Sequence, residues 1–188
     1  FGFTQSWSGI RAKESFSKLF SEDDERALFW KEGRTQETTE WYDFTKGWSV
    51  IKFTNKNSDG TSGSNGIFAD TDFPLYRLAD VYLMYAEAVL RGGQGGTKEL
   101  RDRADIPTIT QSQLTLDFIL EERSRELYWE GHRRTDLIRF NKFTKNYNWP
   151  WKNGIYNGVS NIDDKYKVYP IPATEITANR SLKQNTGY

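Results

Sequence analysis

The chain reads as a mostly α-helical protein in which helix pairs are joined by short connections, with long irregular loops and an extended C-terminal tail. Three observations carry this reading. Leu75, Leu78, Ala79, Tyr82, Ala86, Val89 and Leu90 fall at helical spacing on one face. A second helical stripe runs through residues 119–143, where Ile119, Leu120, Arg123, Leu127, Glu130 and Arg134 recur at spacings of one, three or four. Residues 55–66, NKNSDGTSGSNG, consist of turn-forming types throughout and read as a loop.

Residues 1–70 sustain no long helical period. A short helix is expected at 11–20, with Ile10, Phe16, Leu19 and Phe20 as its apolar contacts. The run SVIKFT at 49–54 has strand-forming residues. Asp72 suits an N-cap and Pro74 the first turn of the long helix that follows. Val81, Met84, Tyr85 and Ala88 make the rest of that helix nearly as apolar, so burial on most sides is expected. Gly92 and Gly93 end it. A short helix is expected at 98–104. Thr115 then caps the charged helix, and Asp117 and Glu121 sit where the helix dipole favours negative charge. Gly131 breaks or bends this helix, and Thr135 or Asp136 restarts it through Phe143. Pro170 and Pro172 forbid regular helix in YPIP, so the chain should end as a wrapping tail. Three regions result: loop-rich 1–70, helical 71–144 and tail 145–188.

Composition excludes several functions. Twenty-six basic and 26 acidic side chains balance, which gives no reason to expect nucleic acid or an anionic membrane surface as partner. There is no cysteine, hence no disulfide or thiol chemistry, and His132 is the single histidine. No cofactor is implied. Asp23, Asp24 and Glu25 lack the loop spacing of a calcium site, as do Asp163 and Asp164.

Charge on a face that should be buried requires partners. Glu121, Glu122, Glu126 and Glu130 invite a glycoside-hydrolase reading, in which two carboxylates share acid and base roles. Helical spacing favours structural pairing, with Glu121–Arg125 and Glu130–Arg134 as i,i+4 ion pairs. Sugar binding needs flat aromatic faces with polar groups at their edges. Trp7, Trp41 and Tyr42, with Arg34, Gln5 and Asp43 nearby, are the ligand candidates on that ground. Trp149 and Trp151 are chemically alike but read as packing for the tail, and Tyr156 is a weaker candidate.

FPLYRLADVYLMYAEAVLRGG at 73–93 and LDFILEERSRELYWEGHRRTDLIRFNKF at 116–143 resemble the C-terminal half of the SusD/RagB family. WPWKNG at 149–154, YPIPATEITAN at 169–179 and the terminal QNTGY extend the resemblance, in the family's order. WSG at 7–9 and DDER at 23–26 are similar to the family's approach to this half. The resemblance implies TPR-like helix pairs as scaffold and variable loops that carry the ligand. It implies a non-enzymatic, surface-exposed, lipid-anchored outer-membrane protein that binds a glycan and delivers it to a SusC-like TonB-dependent transporter. The lipid anchor and the first helix pairs would then lie outside this chain, and the stretch between Gly92 and Ser112 is shorter than in family members. A TPR-like protein-interaction scaffold is the alternative reading.

Overall fold

The computed structural model describes residues 1–4, 9–92, 102, 105, 107 and 109–188. Gln5, Trp7, most of the expected helix at 98–104 and most of the stretch from Gly92 to Ser112 lie outside the described residues. The described chain is mostly α with little sheet. Its helices are α1 (Glu14–Ser17), α2 (Leu78–Gly92), α3 (Leu116–Leu127), α4 (Arg133–Arg139) and α5 (Ala173–Ala178). Its strands are β1 (Phe29–Trp30) and β2 (Ser49–Val50). Two compact units divide the chain, Phe1–Arg133 and Arg134–Tyr188.

The first unit is built on α2 packed against α3. Ala79, Leu83 and Leu127 form the buried cluster, with Tyr82 against it. Ala79 and Ala86 are small enough to let the neighbouring backbone come close, which is why this face of α2 is the one that packs. Thr115 caps α3 as expected, its hydroxyl accepting from the Phe118 amide at 3.1 Å. Asp80 and Arg123 link α2 to α3 through a buried contact of 2.8 Å, ionic in character and without the alignment of a hydrogen bond.

Helix α2 differs from the sequence expectation in two respects. It begins at Leu78, so Asp72 is not its N-cap and Pro74 not its first turn. The guanidinium of Arg77, the residue before the helix, is bound to Glu126 and Glu130, and this anchorage fixes where the chain turns into the helix. Burial is also one-sided. Leu78, Val81 and Tyr85, at i, i+3 and i+7, are 63%, 49% and 60% exposed, because α3 covers only the opposite face.

Helix α1 spans four residues rather than the expected ten, and Ile10, which lies ahead of it, is exposed rather than packed, but the aromatic residues pack as anticipated. Phe16, Phe20, Phe29 and Tyr128 stand with ring centroids 5.2–6.0 Å apart, mostly edge to face. The strand expected at 49–54 is confined to β2, antiparallel to β1 with Phe29 opposite Val50. Beyond it, Lys52 turns inward to the end of α3. Its ammonium donates to the carbonyls of Glu126 and Tyr128 at 2.8 and 2.9 Å. Helix α3 ends there, at Leu127, and not at Gly131 as its sequence suggests. Tyr128 is extended and Trp129 adopts φ 62°. The restart likewise comes at Arg133 and stops at Arg139.

Asn55 organises the loops that precede α2. It is buried, and its amide donates to the carbonyls of Gly2 and Asn65 at 3.2 and 2.7 Å while its Oδ1 accepts from the Asp70 amide at 2.9 Å.

The second unit is held by side chains turned onto backbone. Lys152 is 1% exposed, and its ammonium donates to the carbonyls of Tyr147 and Ser160 at 2.6 and 3.0 Å over the face of Trp149. Trp149 stacks near Phe143 and Trp151 packs edge-on against Tyr156, the packing role expected for both tryptophans. Gly158, at φ 68°, passes so close to Trp149 that a Cβ would fall 2.0 Å from its carbonyl oxygen. Asp163 caps the turn at Lys165, and Asp164 accepts from Thr144 and pairs with Lys145 and Lys167, so both aspartates hold the unit together. No helix crosses YPIP; α5 begins directly after Pro172.

Candidate functional site

The charged face of α3 is fully occupied by its own fold. Arg26 donates through Nε and NH2 to Asp24, both at 2.8 Å, and through NH1 to Glu122 at 3.0 Å and Glu126 at 3.2 Å. Arg125 takes the other oxygen of Glu122 at 2.7 Å. Arg77 bridges Glu126 and Glu130, at 2.6 Å to each, and Lys52 closes the set on Glu130. A cavity of about 290 Å³ lies over this cluster, lined by Lys52, Phe53, Arg77, Tyr128 and Glu130 among others. Among its walls Arg26, Lys52, Arg77, Glu126 and Glu130 are already bonded to one another.

These contacts decide what the carboxylates can do. Burial pushes the Glu130 carboxyl up, but the bonds from Arg77 and Lys52 outweigh it and hold the group below the ordinary carboxylate range. Asp24 is held low in the same way, burial being overcome by Arg26. A glycosidase acid needs the opposite shift. Of the two helical pairs expected from spacing, Glu121–Arg125 is present at 3.9 Å with Glu121 half exposed. The Glu130–Arg134 pair does not form. The helix breaks at Tyr128 and Trp129, so the i,i+4 geometry is lost, and Glu130 takes Lys52 and Arg77. Arg134 belongs to the second unit, where it lies 4.2 Å over Tyr169 and donates to the Tyr166 carbonyl at 2.8 Å. Among the described residues no group of three or more histidine or acidic side chains is placed to hold a metal ion.

Of the described ligand candidates, Trp41, Tyr42 and Asp43 fall on one loop, residues 35–47, and Arg34 immediately precedes it, whereas Tyr156 lies in the second unit against Trp151. The neck of the loop is closed by backbone: the Thr35 amide donates to Thr45 at 3.0 Å and the Gly47 amide to Thr35 at 2.9 Å. Trp41 and Tyr42 project from it, 71% and 65% exposed, with ring centroids 5.7 Å apart and planes at 87°. Phe44, not singled out in the sequence, is 55% exposed on the same loop. Arg34 and Asp43 are partly used by the loop itself. Arg34 donates to the Phe44 carbonyl, and Asp43 accepts from the amide and hydroxyl of Thr45 at 2.8 and 2.7 Å. Those bonds hold the Asp43 carboxyl below its ordinary range. Beneath the loop lies Arg11, whose guanidinium donates to the carbonyls of Trp41, Asp43 and Lys46. Sequence spacing carries no trace of that last relationship, because about thirty residues separate its ends.

The SusD family model matches residues 5–188. The chain belongs to the SusD family. It is 41% identical over 192 residues to the starch-binding protein SusD of Bacteroides thetaiotaomicron, across 96% of this chain and 33% of that protein. It is 27% identical to the SusD-like protein P38 of Formosa agariphila, across 63% of this chain and 25% of that protein. This SusD-family chain thus spans about a third or less of the length of the curated relatives it matches. Among solved structures, the surface glycan-binding protein A of Bacteroides uniformis superposes with a TM-score of 0.61 at 27% identity, over 90% of this chain and 39% of that one. A SusD superfamily protein of Bacteroides vulgatus covers all of this chain, and 42% of its own, with a TM-score of 0.66 at 24% identity, which supports the fold alone.

Proposed function

We propose that this chain is the C-terminal portion of a non-catalytic, cell-surface glycan-binding protein that hands its ligand to a SusC-like TonB-dependent transporter. Trp41 and Tyr42, with Arg34 at the loop's base, are its ligand contacts here, and Trp7 is a further candidate. The observation that carries the reading is the pair of large aromatic rings exposed on a closed, polar loop, since sugars present apolar C–H faces to rings and hydroxyls to polar edges. Family membership and the names of two relatives, starch-binding and glycan-binding, point the same way. The paired state of Glu122, Glu126 and Glu130 supports binding without bond cleavage. The protein sits at the outer membrane, exposed at the cell surface, and its glycan ligand, with starch the first to try, comes from outside the cell.

Titration calorimetry against maltoheptaose, xyloglucan and laminarin oligosaccharides tests this. Binding to one of them, abolished by Trp41→Ala or Tyr42→Ala, is the expected result; binding to none of them overturns it. A second reading, a protein-interaction scaffold, is favoured by the open stripe of Leu78, Val81 and Tyr85. It predicts a tight protein complex lost on Tyr85→Lys, with no glycan binding.

A further inference from the structure

We propose that Arg11 is the positioning residue of the Trp41–Tyr42 platform, holding the loop 35–47 in its binding geometry before any ligand arrives. The inference rests on the reading of that loop as a glycan platform and adds the device that makes it rigid. Three carbonyls from one loop converge on a single guanidinium. Arg11 NH2 meets the Trp41 oxygen at 2.7 Å, and NH1 meets the Lys46 oxygen at 2.5 Å and also the Asp43 oxygen. Phe44 lies with its ring 5.5 Å from the same guanidinium. The charge therefore touches the backbone or ring at Trp41, Asp43, Phe44 and Lys46, on both sides of Tyr42.

The base of this arrangement is itself fixed. Arg11 bridges to Ser49 through its backbone, and the Ala12 amide donates to Trp48 at 2.8 Å. Gly47, at φ 85°, closes the neck so tightly that a Cβ there would lie 2.5 Å from the Thr38 methyl, 3.1 Å from the Ala12 oxygen and 3.2 Å from the Arg11 Cβ. Hydrogen bonds from a charged donor to carbonyls are stronger than neutral ones, and the planar fork of arginine serves several divergent acceptors at once. A loop of this length would otherwise have to be ordered when ligand binds, and that entropy would be subtracted from affinity. With the loop held in advance, the two rings are presented at their mutual right angle to a ligand that pays little for ordering them.

The test compares Arg11→Ala, Arg11→Lys and Trp41→Ala in the whole chain by three measurements: melting temperature, hydrogen–deuterium exchange at the Thr35 and Gly47 amides, and affinity for the glycan found in the titration panel. Arg11→Ala should leave the melting temperature within about 3 °C, speed exchange at both amides, and weaken glycan binding by about tenfold. Arg11→Lys should recover part of both, since a single ammonium satisfies fewer of the carbonyls. Unchanged exchange, or affinity within about twofold of the parent while Trp41→Ala abolishes it, overturns the role of Arg11 and leaves the platform standing. Loss of stability and affinity together in both Arg11 variants also overturns it, since Arg11 would then be a brace of the fold. Binding that survives Trp41→Ala removes the platform reading itself.

Discussion

Arg26 NH1 stands 3.0 Å from Glu122 Oε1 across 96 residues of sequence, and neither side chain is more than 8% exposed. The same guanidinium holds Asp24 and Glu126, so one cation from the loop region compensates three buried carboxylates. Removing it leaves those largely buried charges without their shared partner. Arg26→Met should therefore destabilise the protein by about 3–5 kcal/mol, read as a drop in the urea midpoint. Glu121→Ala, which breaks a half-exposed pair, should change it by less than about 1 kcal/mol. Equal effects would mean that the cluster is not what ties the loop region to α3.

Acid should attack the same cluster. Asp24 and Glu130 have folded-state pKa values below their unfolded ones, so the unfolded chain binds protons more readily. Their contribution is present above about pH 4 and is lost as pH falls through the depressed folded values. The urea midpoint should fall steeply below about pH 4, and Glu130→Gln should flatten that fall while lowering the midpoint at neutral pH. A midpoint that stays level down to about pH 3 contradicts the assignment.

The two faces of α2 should respond oppositely to substitution. Leu83 is 0% exposed in the contact with α3, and Leu83→Ala should cost about 2–5 kcal/mol. Val81→Lys, on the open face, should cost less than about 1 kcal/mol and raise solubility. Thermal melts with light scattering separate the two effects.

Asn55 should behave as a loop clamp. Asn55→Ala leaves the Asp70 amide and the Gly2 and Asn65 carbonyls without their buried partner, a loss of about 1–3 kcal/mol. Amide exchange should rise first at Asp70, while amides in α3 stay protected until global unfolding.

Helices α2 and α3 were legible because their information is local, whereas α5 was not read from the sequence. Thr115 before Leu116, and apolar residues at Ile119, Leu120 and Leu127, specify α3 through spacing and capping alone. Trp41 and Tyr42 were found as candidates because large rings among polar, non-helical neighbours are visible in composition. Phe44 was missed although its signal is the same kind. The identity of the charge partners was not legible. Helical spacing names neighbours only while a helix continues, and the break at Tyr128 turned Glu130 toward Lys52 and Arg77.

From the sequence alone come the helical class, the existence of α2 and α3, the N-cap of α3, the family motifs and the requirement that the charges of α3 find partners. The tertiary structure alone decided that those partners are Arg26, Lys52 and Arg77, that α2 leaves one apolar face open, and that Arg11 lies under the Trp41–Tyr42 loop. The reason is the range of the forces involved. Periodicity and capping act within a few residues, whereas a buried charge is satisfied by whichever opposite group the folded chain brings within about 3 Å.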